Sequence, residues 1–252
     1  MNPGKVLLRA AVAAILLHIP PLQSGRAQAA PCLDVALVLS VDASASVSKH
    51  EFALQQKGIA EAFRDPEVLE AVSMAGRVAV SVIFWGSEGL AKPHSRWVLI
   101  DSPASAEQFA REVESMDRQV TGDTGLGAGL MAALLKFESL EECAFRKVVN
   151  VSGDGEETRV YRRMRQSLAP SQVKSLAESR NVEINALAIT NDEIDLPEYY
   201  ASNVITGPDA FVMQVERYED FSHALRRKLI REIGPRVVSD QSGRKARGNH
   251  LN

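Results

Sequence analysis

Apolar positions along this chain fall into runs of two kinds. Asp34–Val41 (DVALVLSV), Lys147–Val151 (KVVNV) and Val182–Ile189 are short, nearly continuous apolar stretches of strand length. That pattern predicts strands buried on both faces. Arg77–Trp85 (RVAVSVIFW) is rich in β-branched residues and predicts another strand, and Trp97–Ile100 a shorter one. Between these runs the apolar spacing becomes helical. Ser46–Arg64 carries Phe52, Ile59, Ala60 and Phe63 on one face, with Ser48 as the candidate N-cap. Ser105–Met116, Leu126–Phe137 and Pro170–Arg180 read as helices. Tyr218–Glu232 closes the pattern, with Phe221, Leu225, Leu229 and Ile230 on one stripe. Gly86–Gly89 and Thr121–Gly125 read as Gly-containing loops. Asn203–Thr206 and Phe211–Val215 read as strand pieces around a Gly207-Pro208 turn.

Strands alternating with helices predict an α/β fold: a doubly wound, mostly parallel, Rossmann-like sheet with helices on both faces. Such sheets bind ligands beyond the C-terminal ends of their strands, near a point where the strand order reverses. Polar residues at strand ends are therefore the ones that matter for function.

The chain termini follow a different pattern. Lys5 and Arg9 precede an apolar run from Ala10 to Ile19, Pro20-Pro21 ends it, and Ala27-Gln28-Ala29 follows. This is the layout of a cleaved export signal, and the run is too short to span a bilayer. Residues 1–29 are assigned to it, with cleavage after Ala30 as the alternative. The mature protein is then expected to be soluble, without a transmembrane segment, and periplasmic or secreted. Residues 30–234 form one domain, and 235–252 (PRVVSDQSGRKARGNHLN) a disordered basic tail. Loss of the leader removes Lys5, Arg9 and Arg26 and no acid, taking the formal charge of −3 to −6. That balance argues against nucleic-acid binding. Export also changes the meaning of Cys32 and Cys143, the chain's 2 cysteines. In an oxidising compartment a pair is more often a disulfide than a zinc or redox site. Ala30-Pro31 fits a lipoprotein signal at Cys32 poorly.

The chemistry concentrates at the end of the first strand. Asp42-Ala43-Ser44-Ala45-Ser46 puts a carboxylate and two hydroxyls at alternate positions, separated by alanines, where a buried strand gives way to a helix. Three oxygen donors on one turn suit a hard cation, which takes oxygen ligands and keeps some water. More charge is needed, and Asp154, after the strand KVVNVSG, is the natural second carboxylate. Thr124, in the Gly-rich turn before a helix, supplies another oxygen, with Thr121 as its rival. Taken singly, each residue has a plainer use: a serine or threonine caps helices, and Asp154-Gly155 makes a turn. The histidines are scattered and carry no metal signature.

Together, Asp42-x-Ser44-x-Ser46, Thr124 in GDTGLGAGL and Asp154-Gly155 resemble the metal-ion-dependent adhesion site of the von Willebrand factor type A domain. The resemblance runs from about Asp34 to Glu232. It extends to bacterial secreted proteins of unknown function that consist mainly of this domain. It implies that Ser44 and Ser46 are direct ligands of Mg2+, with Mn2+ or Ca2+ as alternatives. Asp42 and Asp154 would act directly or through water, and Thr124 would change between the two. It implies a protein partner whose acidic side chain completes the coordination. It also implies that the strands ending at Asp42 and Asp154 are parallel neighbours. Cys32 lies 10 residues before Asp42 and Cys143 lies 11 before Asp154, so the resemblance further implies a Cys32–Cys143 disulfide at the opposite sheet edge. In related domains the last helix moves, and Tyr218–Glu232 is its counterpart.

The expected function is thus an exported, metal-dependent protein-binding module without catalysis. A Mg2+-dependent phosphohydrolase is the alternative. A phosphoaspartate phosphatase needs an acid two residues after its nucleophilic Asp, and Ser44 stands there. No Walker or G-x-S-x-G sequence is present either. A structural or assembly role, with the metal as a staple, is the third reading. The loops Gly86–Lys92, Met116–Gly122 and Gly155–Arg165 are expected to ring the metal. Arg159, Arg162, Arg163 and Arg165 form a basic cluster in the last of them.

Overall fold

A computed structural model describes residues 31–87, 92–158 and 168–235. The leader expected over 1–29, the arginine cluster 159–165 and the tail beyond Pro235 lie outside the described residues. No helix among the described residues is long and apolar enough to cross a membrane.

Strands β1 (Leu33–Asp42), β2 (Val78–Trp85), β3 (Val98–Ile100), β4 (Ala144–Gly153), β5 (Val182–Ile189) and β6 (Val212–Val215) form one sheet in the order β3-β2-β1-β4-β5-β6. Every neighbouring pair is parallel except β2 and β3. The helices are α1 (Lys49–Arg64), α2 (Pro66–Ala75), α3 (Pro103–Glu114), α4 (Leu126–Lys136), α5 (Pro170–Ser179), α6 (Leu196–Asn203) and α7 (Phe221–Ile233).

The continuous apolar run of β1 is explained by two cores. Val35, Leu37, Leu39 and Val41 pack with Phe52 and Phe63 of α1, Phe109 of α3 and Leu225 and Leu229 of α7. Ala36 and Val38 point the other way, into a core with Leu130 and Leu134 of α4, Val173 of α5 and Tyr200 of α6. A strand whose alternate side chains both meet helices has no polar face to display.

The chain moves from β1 outward to β2 and β3, then crosses back to place β4 on β1's other side. The strand order therefore reverses between β1 and β4, and a crevice opens beyond their C-terminal ends. Val41 pairs with Ser152, so Asp42 and Gly153 leave the sheet side by side. The same register runs to the other edge, where Leu33 pairs with Ala144. One step earlier Cys32 and Cys143 are joined as a disulfide, with Cα atoms 4.7 Å apart.

Some elements differ from the sequence reading. Helix α2 was not expected; Asp65 caps it through Glu67 and Val68 amides, and Pro66 occupies its first turn, where a missing N–H costs nothing. Asn203–Thr206 is not a strand piece. Asn203 ends α6, and Thr206 makes a single bridge to Ile184. Strand β4 begins at Ala144, ahead of Lys147; its first residues are partly buried or, like Phe145, exposed, and so show no apolar run.

Candidate metal centre

The residues singled out in the sequence meet at the β1–β4 crevice. Asp42, the last residue of β1, is fully buried. Its Oδ1 accepts the Ser44 amide at 2.8 Å, which folds the chain back over the strand end. Ser44 Oγ lies 3.1 Å from Ser46 Oγ, and Ser46 Oγ donates to Asp154 Oδ1 at 2.8 Å. Asp42, Ser44, Ser46 and Asp154 are thus linked in one chain of contacts between two neighbouring strand ends. The plainer roles fall elsewhere. Ser48, not Ser46, caps α1, in a reciprocal pair with Glu51. Gly125, not Thr124, occupies the N-cap of α4.

Thr124 is buried and faces the Asp154 turn. A β-carbon built on Gly155 would lie 3.5 Å from Thr124 Oγ1. Thr121 is exposed, and its backbone holds the Gly86–Ser87 loop instead. The turns bearing Thr124 and Asp154 are tied together: Thr158 N donates to Thr124 O, Thr124 N to Thr158 Oγ1, and Gly127 N to Glu157 Oε2. The last bond supplies α4 with the carboxylate that its glycine cap cannot.

Gly153 marks how closely the strand ends approach. A β-carbon there would stand 2.8 Å from Tyr200 Oη and 3.1 Å from Asp42 Oδ2. Glycine is the residue that leaves room for both.

The electrostatics match a site prepared for a cation. Burial raises the Asp42 carboxyl to about 8, with the negative charge of Asp154 adding to the effect. Burial likewise raises Asp154. One oxygen of each, Asp42 Oδ2 and Asp154 Oδ2, is buried without a hydrogen-bond partner. Two buried carboxyl oxygens without partners at neighbouring strand ends carry a cost that a bound cation would offset. The donor set of two carboxylates and three hydroxyls, gathered at one crevice, fits a hard divalent ion. Among the described residues no three His, Cys, Asp or Glu side chains form a metal cage, so the hydroxyls are essential to the fit.

Several further residues shape the site and carry no sequence pattern. Arg118 Nη2 donates to the carbonyls of Ala43 and Ser44, at 3.1 and 2.5 Å, and its charge favours ionised Asp42. Tyr200 Oη donates to Gly155 O at 3.2 Å and steadies the Asp154 turn. The Tyr218 hydroxyl, raised by burial and by both aspartates, is near enough to Asp154 to feel its charge but makes no well-formed hydrogen bond. Glu193 Oε2 accepts the Glu156 amide at 3.0 Å; burial, then Glu156 and Asp154, raise its carboxyl.

The family model described as "Protein of unknown function (DUF1194)" matches residues 31–237. The chain belongs to this family. Its fold is that of von Willebrand factor type A domains. Proximal thread matrix protein 1 from the mussel byssus, solved with a zinc-occupied MIDAS motif, is 16% identical with a TM-score of 0.55, covering 80% of this chain and 46% of that one. The pilus adhesin SpaC from Lactobacillus rhamnosus GG is 14% identical with a TM-score of 0.56, over 81% of this chain and 30% of its own. A von Willebrand factor type A protein from Catenulispora acidiphila is 16% identical with a TM-score of 0.53, over 82% and 44%. This chain spans less than half the length of each. Comparison with curated proteins gives no match.

Proposed function

We propose that this member of the family is an exported protein-binding module that captures a partner through a divalent cation, for which Mg2+ is the first choice. Asp42, Ser44, Ser46, Thr124 and Asp154 would hold the ion. Bound there, the cation would supply an electrophilic position open to a partner's carboxylate. The observation that carries this reading is the pair of buried, unpartnered oxygens of Asp42 and Asp154, linked through Ser44 and Ser46 at the switch point of the sheet. The zinc-occupied motif of the byssus protein and the adhesin role named for SpaC support the same reading at the level of the fold.

The chain's own residues have distinct tasks in it. Asp42 and Asp154 place two carboxyls in a buried crevice that resists their ionisation, and a cation would offset that cost by favouring the charged forms. Arg118, through two backbone carbonyls, fixes the Ser44 turn. Tyr200 fixes the Asp154 turn. The ladder register of β1 and β4 keeps the two strand ends level, and the disulfide joins the same strands at the far edge. A catalytic reading has less behind it, since Ser44 stands where a phosphoaspartate phosphatase carries its acid.

The test is capture of proteins from the exporting cell's envelope by the mature chain, in Mg2+ and in chelator, with Asp42→Ala in parallel. The expected result is a partner retained in Mg2+, released by chelator and absent with the variant. Retention that is indifferent to metal and to the substitution contradicts the proposal. Mg2+-dependent release of phosphate from a generic substrate, lost in Asp42→Ala, would favour the enzyme instead.

A further inference from the structure

A carboxylate outside the sequence motif stands over the crevice. Glu193 lies in the loop from β5 to α6. Its Oε2 is fixed by the Glu156 amide at 3.0 Å. Its Oε1 is directed to the space above Gly155: a β-carbon there would meet Glu193 Oε1 at 3.7 Å and Thr124 Oγ1 at 3.5 Å. The two oxygens border one small opening that Gly155 leaves vacant. Among the described residues, the charges that act most on Glu193 are those of the acids Glu156, Asp154 and Asp192. Acids gathered beside two buried and unpartnered carboxylate oxygens, those of Asp42 and Asp154, favour a cation. Yet Glu193 does not close into a direct cage with the two aspartates. A carboxylate that borders the crevice outside such a cage suits a group that acts through water, which Mg2+ characteristically retains.

Resting on the metal-site reading above, we propose that Glu193 is a positioning residue of that site: it accepts a hydrogen bond from a cation-bound water beside Thr124 and adds charge that retains the ion. Outer carboxylates of this kind orient what the metal holds and raise its affinity. A partner's carboxylate entering on the Thr124 side would have to displace that water, so Glu193 also sets how readily the open position is vacated.

Glu193→Gln isolates the charge, because the amide oxygen can still accept from Glu156 N. Calorimetric titration with MgCl2 of the wild type, Glu193→Gln and Asp42→Ala, with a melting curve of each in chelator, makes the test. The expected result is affinity in Glu193→Gln weakened about tenfold or more, with a metal-free melting temperature matching the wild type. Wild-type affinity retained in Glu193→Gln while Asp42→Ala loses binding overturns the role of Glu193 and leaves the metal site standing. A lower metal-free melting temperature with unchanged affinity makes Glu193 a loop anchor only, which also overturns it. A wild type that takes up no Mg2+ overturns both readings.

Discussion

Replacing Asp42 by Asn should make the metal-free protein more stable, and the size of the gain follows from the site. Burial and Asp154 raise the folded carboxyl to about 8, against 3.8 for an exposed aspartate. Between those values the folded protein keeps a proton that the unfolded chain has released. Stability contributed by this group is therefore fully present below about pH 4 and is lost progressively as pH rises to about 8. At pH 7 roughly three pKa units have been crossed, at ~1.4 kcal/mol each, a cost on the order of 4 kcal/mol. Asn still accepts the Ser44 amide and cannot ionise. Its NH2 carries two N–H groups where the protonated carboxyl carries one O–H, and the extra unpartnered donor takes back about 1–3 kcal/mol of that gain. For a domain of this size the net gain corresponds to a melting temperature about 5 °C higher. The assay is thermal unfolding of wild type and Asp42→Asn in chelator across this pH range, repeated with saturating Mg2+. The gap should widen with pH in chelator. Mg2+ should close or invert it, because a ligand stabilises only the form that binds it. A variant no more stable than wild type at pH 7 in chelator, or a gap that narrows as pH rises, refutes the electrostatic reasoning.

Other substitutions probe separate parts of the account. Gly153→Ala would push a methyl group against Tyr200 and Asp42; it should cost about 1–3 kcal/mol and weaken Mg2+ binding in the same calorimetric titration. Lys228 and Glu232 form a fully buried ion pair on α7, with Asn150 donating to Glu232 and Lys228 donating to the carbonyl of Asn185. Lys228→Met should destabilise by about 3–5 kcal/mol in denaturant unfolding by stranding Glu232, and Lys228→Met with Glu232→Leu should recover most of the loss. Opening the Cys32–Cys143 disulfide, which closes a loop with a sequence separation of 111, should cost about 4–5 kcal/mol on loop-entropy grounds. Replacing both cysteines by serine should show this in unfolding while leaving Mg2+ affinity unchanged, since the bond is at the sheet's far edge.

The parts of the fold that rest on burial were readable in the chain. β1, β2, β5 and the core of β4 announce themselves because both faces are covered, leaving uninterrupted apolar runs. Helix α7 is readable because one stripe alone faces the sheet. Helices α2 and α6 have no counterpart in the sequence reading, although Asp65-Pro66 and Leu196-Pro197 are helix-start sequences that put proline in a first turn. The antiparallel direction of β3 cannot be read from 3 residues; it is set by what they pair with. At the candidate site, the Asp-x-Ser-x-Ser turn was legible because its donors are close in sequence and follow a buried strand. Arg118, Tyr200, Tyr218 and Glu193 were not. Each is a single polar residue on a loop or helix, and only the fold brings it to the crevice. A feature that could have singled out Tyr200 is its position as a large polar residue on a buried helix face, but the helix itself was missed.

The most direct test of the central claim is a crystal of the mature protein grown with Mn2+, measured at the manganese absorption edge. The account predicts an anomalous peak in the β1–β4 crevice, bounded by Asp42, Ser44, Ser46, Thr124 and Asp154, and lost in Asp42→Asn. A peak elsewhere, or an empty crevice with Asp42 and Asp154 still short of hydrogen-bond partners at saturating Mn2+, would contradict it.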